Sequence, residues 1–145
     1  AYLLAVTIGA AMDKLIRTKM LIASEEGLIL DSCATAAVEA AADMAEAMIR
    51  EECAERGEAI TWRFSPGYGD LPIETQADFL TLLDTSRKIG LMVSGDMILT
   101  PFKSVTAITG VTRTNEQAST NRTPCDNCLS RESCEYRKTG EKCWN

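Results

Sequence analysis

An α+β domain is what this chain predicts, and three observations lead to it. A β-branched apolar run opens the sequence, a long stretch of three- and four-residue apolar spacing follows it, and two further runs rich in Val, Ile and Thr lie beyond residue 90. These patterns do not alternate strictly as β, α, β, which argues against a doubly wound parallel sheet. An antiparallel sheet with packed helices is the expected form.

The first element, "YLLAVTIG", ends at Gly9 and reads as a buried strand. Residues 10 to 23 carry helical spacing through Met12, Leu15, Ile16 and Met20, with Gly27 expected to break the pattern. From 31 to 56, Val38, Ala41, Ala42, Ala45, Met48, Ile49 and Cys53 recur at helical intervals. Asp31 or Ser32 is placed to cap the start, and Gly57 follows Arg56 as a stop. Cys33 and Cys53 on this helix are expected to be buried as small hydrophobes.

"IETQADFLTLLDTSRKIG" predicts another helix through Ala77, Leu80 and Leu83, between Pro72 and Gly90. "LMVSGDMIL" and "KSVTAITGVT", on either side of Thr100-Pro101, read as strands. The main domain is thus expected over residues 1–112. A linker without apolar period is expected over 113–124, and a cysteine-rich tail over 125–145. No internal repeat is visible.

Composition limits the functions open to such a fold. The chain has 145 residues, 46% apolar and 25% charged, enough for one domain with its own core. Its net charge of -6 lies in the first part: residues 1–115 hold 10 Lys+Arg against 16 Asp+Glu, residues 116–145 hold 5 against 5. An acidic body repels a phosphate backbone, so nucleic acid is not an expected partner. The opening apolar run is interrupted by Asp13 and Lys14 and is too short to span a bilayer, so no membrane partner is expected and a cytoplasmic location is. The chain starts at Ala1 rather than at a methionine, and we expect residues before it in the natural protein. Histidine is absent, which removes Ser-His and Cys-His catalysis and leaves sulfur or oxygen to hold any metal.

Two segments carry chemistry. In "RFSPGYGDLP", residues 63–72, Gly67 and Gly69 open backbone angles closed to other residues, while Pro66 and Pro72 each fix one. A rigid irregular loop of this kind can aim backbone groups at a ligand. Arg63 offers a fork of donors to a carboxylate or phosphate, and Tyr68 a flat face with a terminal hydroxyl. The loop fits a small-molecule ligand with an acid at one end and a flat group at the other. It equally fits a turn whose arginine is paired with Asp70 or Glu74.

The second segment, "CDNCLSRESCEYRKTGEKC", spaces Cys125, Cys128, Cys134 and Cys143 as Cys-x2-Cys-x5-Cys-x8-Cys. Four thiolates in so short a stretch predict a staple, either structural zinc or an iron-sulfur cluster, with free or oxidised thiols as the alternative and disulfides disfavoured in a reducing compartment.

"RFSPGYGDLPIETQADFLTLLD" followed by "PFKSVTAITG" resembles the activation domain of cobalamin-dependent methionine synthase, in particular its small stand-alone bacterial relatives. The resemblance extends more weakly over the helix at 31–56 and covers about residues 1–112. It implies an S-adenosylmethionine site in an α+β domain that docks on a corrinoid-carrying protein or the methionine synthase core. There, oxidised cobalamin is reduced and remethylated. It further implies that Arg63 contacts the ligand's carboxylate and that Pro66, Gly67 and Tyr68, next to Ser65, border its nucleoside. Where the family has a tyrosine pair this chain has "NEQA" at 115–118. Lys103 beside Ser104 is a cation the family lacks, available to a different anion or to corrinoid side chains. Two further readings follow from the same residues: a redox carrier whose tail cluster delivers an electron to a corrinoid protein, and a docking module without catalysis.

Overall fold

The computed structural model describes residues 1–113 and 131–140. Its elements are β1 (Tyr2–Thr7), α1 (Ala10–Ile22), α2 (Ser24–Glu55), β2 (Glu58–Ile60), α3 (Thr75–Leu83), α4 (Thr85–Ile89), β3 (Met92–Val93), β4 (Leu99–Thr100), β5 (Ser104–Thr109), β6 (Val111–Arg113) and α5 (Glu135–Thr139). Mixed helices and small antiparallel ladders make this an α+β chain, as expected.

Strand β1 pairs antiparallel with β5, from Tyr2 opposite Thr109 to Thr7 opposite Ser104. Only Gly110 separates β5 from β6, and β6 pairs with β2. An isolated bridge between Phe64 and Ile108 carries the chain after β2 alongside β5. The β5–β6 path therefore has β1 on one side and the 58–64 segment on the other.

Because side chains alternate across a strand, this register sorts the sheet into two faces. Leu4 and Ala107 share one face, which α2 covers with its buried Ala34, Val38 and Ala42. Thr106 lies on the other, where its hydroxyl meets Gln76 of α3 at 3.3 Å. The core is thin and small-sided on the α2 face, so helix and sheet approach closely.

Several expectations are corrected. Gly27 does not end a helix; it lies inside α2, which starts at Ser24, and the break falls at Ala23 (φ -155°, ψ 77°). Gly27 is where α1 crosses: a Cβ there would stand 2.7 Å from the Met20 backbone nitrogen. With α2 starting earlier, Asp31 and Ser32 are interior rather than capping. Ser32 Oγ donates to the Leu28 carbonyl, and Asp31 pairs with Lys103. Cys53 is buried as expected, but Cys33 is exposed, and so is Met48.

The helix expected over residues 73–89 is two, interrupted at Asp84, which adopts φ 52°. Its buried face is Gln76, Phe79 and Leu80 rather than Ala77, Leu80 and Leu83. "LMVSGDMIL" is not one strand but the hairpin β3–β4, closed by Ser94 N–H to the Ile98 carbonyl at 2.9 Å. Strand β2, outside the strands expected from the sequence, opens the alternation of Ile60, Trp62 and Phe64. The expected division between domain and tail cannot be followed past Arg113, since residues 114–130 lie outside the described part.

Candidate functional site

The segment after β2 leaves the sheet as a fixed loop. Phe64 exchanges both backbone hydrogen bonds with Ile108, each 2.8 Å, so the strand end is tied to β5. Tyr68 N–H then donates to the Ser65 carbonyl, Gly67 N–H to Leu71, and Leu71 N–H to Tyr68. Gly67 (φ 90°) and Gly69 (φ 57°) hold left-handed angles that strain other residues. The Ile73 side chain closes over Gly67, only 3.1 Å from where a Cβ would sit, and Pro66 is buried. Ring, turn bonds and packing make the loop rigid, and Tyr68 projects from it 69% exposed.

Arg63 precedes Phe64 and so points to the opposite sheet face, under α2. Its Nη1 donates to Asp43 Oδ1 at 2.5 Å and Glu46 Oε2 at 3.0 Å, and its Nη2 to Glu39 Oε2 at 3.1 Å. Neither Asp70 nor Glu74, the partners the sequence suggested, is involved. Glu39, Asp43 and Glu46 recur at four and three residues, which stacks them along one side of α2 facing the strand. Burial works against the guanidinium charge, but Asp43, Glu46 and Glu39 outweigh it and hold the group above its ordinary value. The partners are not equivalent: Asp43 and Glu39 side chains are 63% and 54% exposed, Glu46 only 15%. The outer two can swing away and be replaced by another carboxylate, while Glu46 stays.

Lys103 reaches the same helix further toward its N-terminus. Its Nζ lies 2.9 Å from Asp31 Oδ1 and donates to Thr35 Oγ1 at 2.8 Å, with the residue buried. Asp13 of α1 accepts the backbone N–H of Phe102 at 2.5 Å and of Lys103 at 3.4 Å, fixing the turn into β5. Ser104, one residue on, faces away from α2 and donates to the Pro101 carbonyl at 2.6 Å. The sheet therefore divides the residues singled out by sequence. Arg63 and Lys103 lie under α2, one at each end of a shared acidic side, Ser104 lies on the far face, and Ser65, Pro66, Gly67 and Tyr68 form the loop beside Arg63.

A third charged group closes the outer end of the sheet. Arg56 donates to Glu52, Glu58 and the Tyr2 hydroxyl at 2.7, 3.0 and 2.6 Å, and Tyr2 donates to Glu52 at 2.8 Å. Arg56 and then Tyr2 hold the Glu52 carboxyl below the usual carboxylate range.

Sequence reading missed the α2 carboxylates that fill the donors of Arg63, and it missed Asp13 and Gln76. The first could have been found, since acids at 39, 43 and 46 fall on one side of any helix drawn through them. Of the tail thiols, Cys125, Cys128 and Cys143 lie outside the described residues; Cys134 is half-buried just before α5. Among the described residues no three acidic or cysteine groups converge as a metal set, and no helix is long and apolar enough to cross a membrane. No family model and no curated protein matches the chain.

Proposed function

We propose that this chain is an accessory domain for the reductive reactivation of a corrinoid protein such as methionine synthase, binding S-adenosylmethionine or a related ligand at the loop of residues 63–68. The single observation that supports this most is the rigid turn that directly follows Arg63 in the chain and holds Tyr68 exposed. A guanidinium whose two outer acid partners are exposed can trade one of them for the ligand's carboxylate, like charge for like charge. An exposed aromatic ring next to buried Pro66 and exposed Gly67 suits the flat, partly apolar nucleoside. The cobalt and the methyl acceptor belong to the partner, so no group of this chain is required to carry the chemistry alone. Lys103, held by Asp31 and Thr35, serves in this reading to seat the β5 turn rather than to meet the ligand. In the tail, Cys125, Cys128, Cys134 and Cys143 would hold zinc as a staple or an iron-sulfur cluster as an electron donor; metal analysis of the anaerobically purified chain separates the two.

Calorimetric titration with S-adenosylmethionine tests the ligand. Wild type gives saturable heat, and Arg63→Ala binds at least about tenfold more weakly, the loss of one charge-assisted hydrogen bond at about 1.5–3 kcal/mol. Removing Arg63 also leaves Glu39 and Asp43 without their cation, while Glu46 keeps Arg50 at 2.6 Å. Tyr68→Ala, at an exposed position, provides the variant whose fold is not at stake. Heats equal in all three proteins, or absent in wild type, overturn the proposal.

A further inference from the structure

A helix that covers a sheet on one face normally turns polar side chains outward. Helix α2 does not. Opposite its buried Ala34, Val38 and Ala42, the outward row is Ile29, Cys33, Ala36, Ala40, Met44 and Ala47, all exposed. Met44 and Met48 are each 70% exposed, and Leu21, Ile22 and Leu28 stand out at the α1–α2 corner, at the other end of the row beside Ile29. At 1.5 Å per residue the row from 29 to 48 is about 28 Å long. Ile29, Met44 and Met48, joined by small apolar side chains and all left in water, mark a contact surface.

Charge says what covers it. Helix α2 holds nine acids, at 25, 26, 31, 39, 43, 46, 51, 52 and 55. Five cations face them, Arg50 within the helix and Lys19, Arg56, Arg63 and Lys103 bonded to it, which leaves a surplus of four negative charges. Glu25 and Glu26 border the apolar row at one end, and Glu51 and Glu55 at the other. A second copy of the chain would set this surplus against itself. An anionic membrane is repelled by the same border. We infer that the outward face of α2 is a docking surface for an amphipathic helix of another protein, apolar along one side and bordered by lysine or arginine. The small residues at 36, 37 and 40 let the two backbones approach closely at the centre, while Ile29 at one end and Met44 and Met48 at the other grip the partner's apolar side chains. The surface lies on the opposite side of α2 from the sheet, with Asp43, a partner of Arg63, on its flank between Ala40 and Ala47, and a test without S-adenosylmethionine reads it separately from the ligand.

The test uses the full chain and a fluorescent helical peptide of about 18 residues made only of leucine and lysine, its leucines spaced three and four apart. Its counterpart has glutamate for lysine. In anisotropy titrations the lysine peptide binds one to one, and binding weakens as salt rises from about 0.05 M to about 0.5 M. The glutamate peptide binds at least about tenfold more weakly. Ala40→Glu adds charge of the attracting sign, so if it weakens the lysine peptide by at least about tenfold, apolar contact at the row is responsible. Met44→Gln, which adds no charge, weakens it in the same direction. Circular dichroism confirms that both variants keep their helix. No binding to wild type, equal binding to Ala40→Glu, or equal binding of both peptides overturns the inference. So does a dimer in sedimentation velocity that Ala40→Glu dissolves, because the face would then belong to a second copy.

Discussion

Replacing Gly27 by alanine sets two effects of opposite sign against each other. In the interior of a helix, alanine is favoured over glycine by about 1 kcal/mol, so on propensity alone the change stabilises α2. At this position, however, the new Cβ would stand 2.7 Å from Met20 N, 2.9 Å from Met20 Cα and 2.9 Å from Met20 Sδ. The sulfur can swing aside on its flexible side chain, but the two backbone atoms move only if α1 moves. Carbon contacts need about 3.5–4.0 Å, so the helices must part by about 1 Å, loosening buried Ile16 and half-buried Met20 against α2. Overpacking of this kind costs about 1–3 kcal/mol. The clash therefore wins by about 1 kcal/mol, and we expect Gly27→Ala to lower the melting temperature by about 3–5 °C for a chain of this size. Thermal unfolding followed by circular dichroism reads the shift, and Ala37→Gly, exposed on the same helix, calibrates propensity by lowering stability about 0.5–1 kcal/mol. A Gly27→Ala protein that melts at or above wild type would falsify the close crossing of α1 and α2.

The Glu52 carboxyl is held below its ordinary value of 4.5 by Arg56 and Tyr2, so its contribution to stability is complete above that value and is lost as pH falls through the folded one. Melting curves should show Glu52→Gln less stable than wild type at neutral pH, with the two converging below about pH 4.5; parallel curves would remove the pair from the stability account. Gln76 is buried with its amide N–H₂ on the Met97 carbonyl at 2.6 Å and its carbonyl on the Thr106 hydroxyl. Gln76→Leu strands both partners at about 1–3 kcal/mol, visible as a lower urea midpoint, whereas an unchanged midpoint would mean that water replaces the amide.

Strand β1, both long helices and the turn at residues 65–70 were legible in the sequence because each rests on local chemistry. Alternation, helical spacing and the angles of glycine and proline act within a few residues of one another. Helix ends were less legible: α2 runs back to Ser24 because α1 packs at Gly27, and a glycine that reads as a stop is here a crossing point. The same limit governs the candidate site. That residues 63–68 form a rigid loop with an arginine at its root follows from the chain alone. That Arg63 spends its donors on Glu39, Asp43 and Glu46, while Ser104 turns to the far face, follows only from the strand register, since a shift of one residue would exchange the two faces. The outward apolar row of α2 belongs to this second class. Its residues are visible in the sequence as part of an alanine- and methionine-rich helix, but which of two apolar sides meets the sheet is a choice made by tertiary packing. The side that loses is left for a partner.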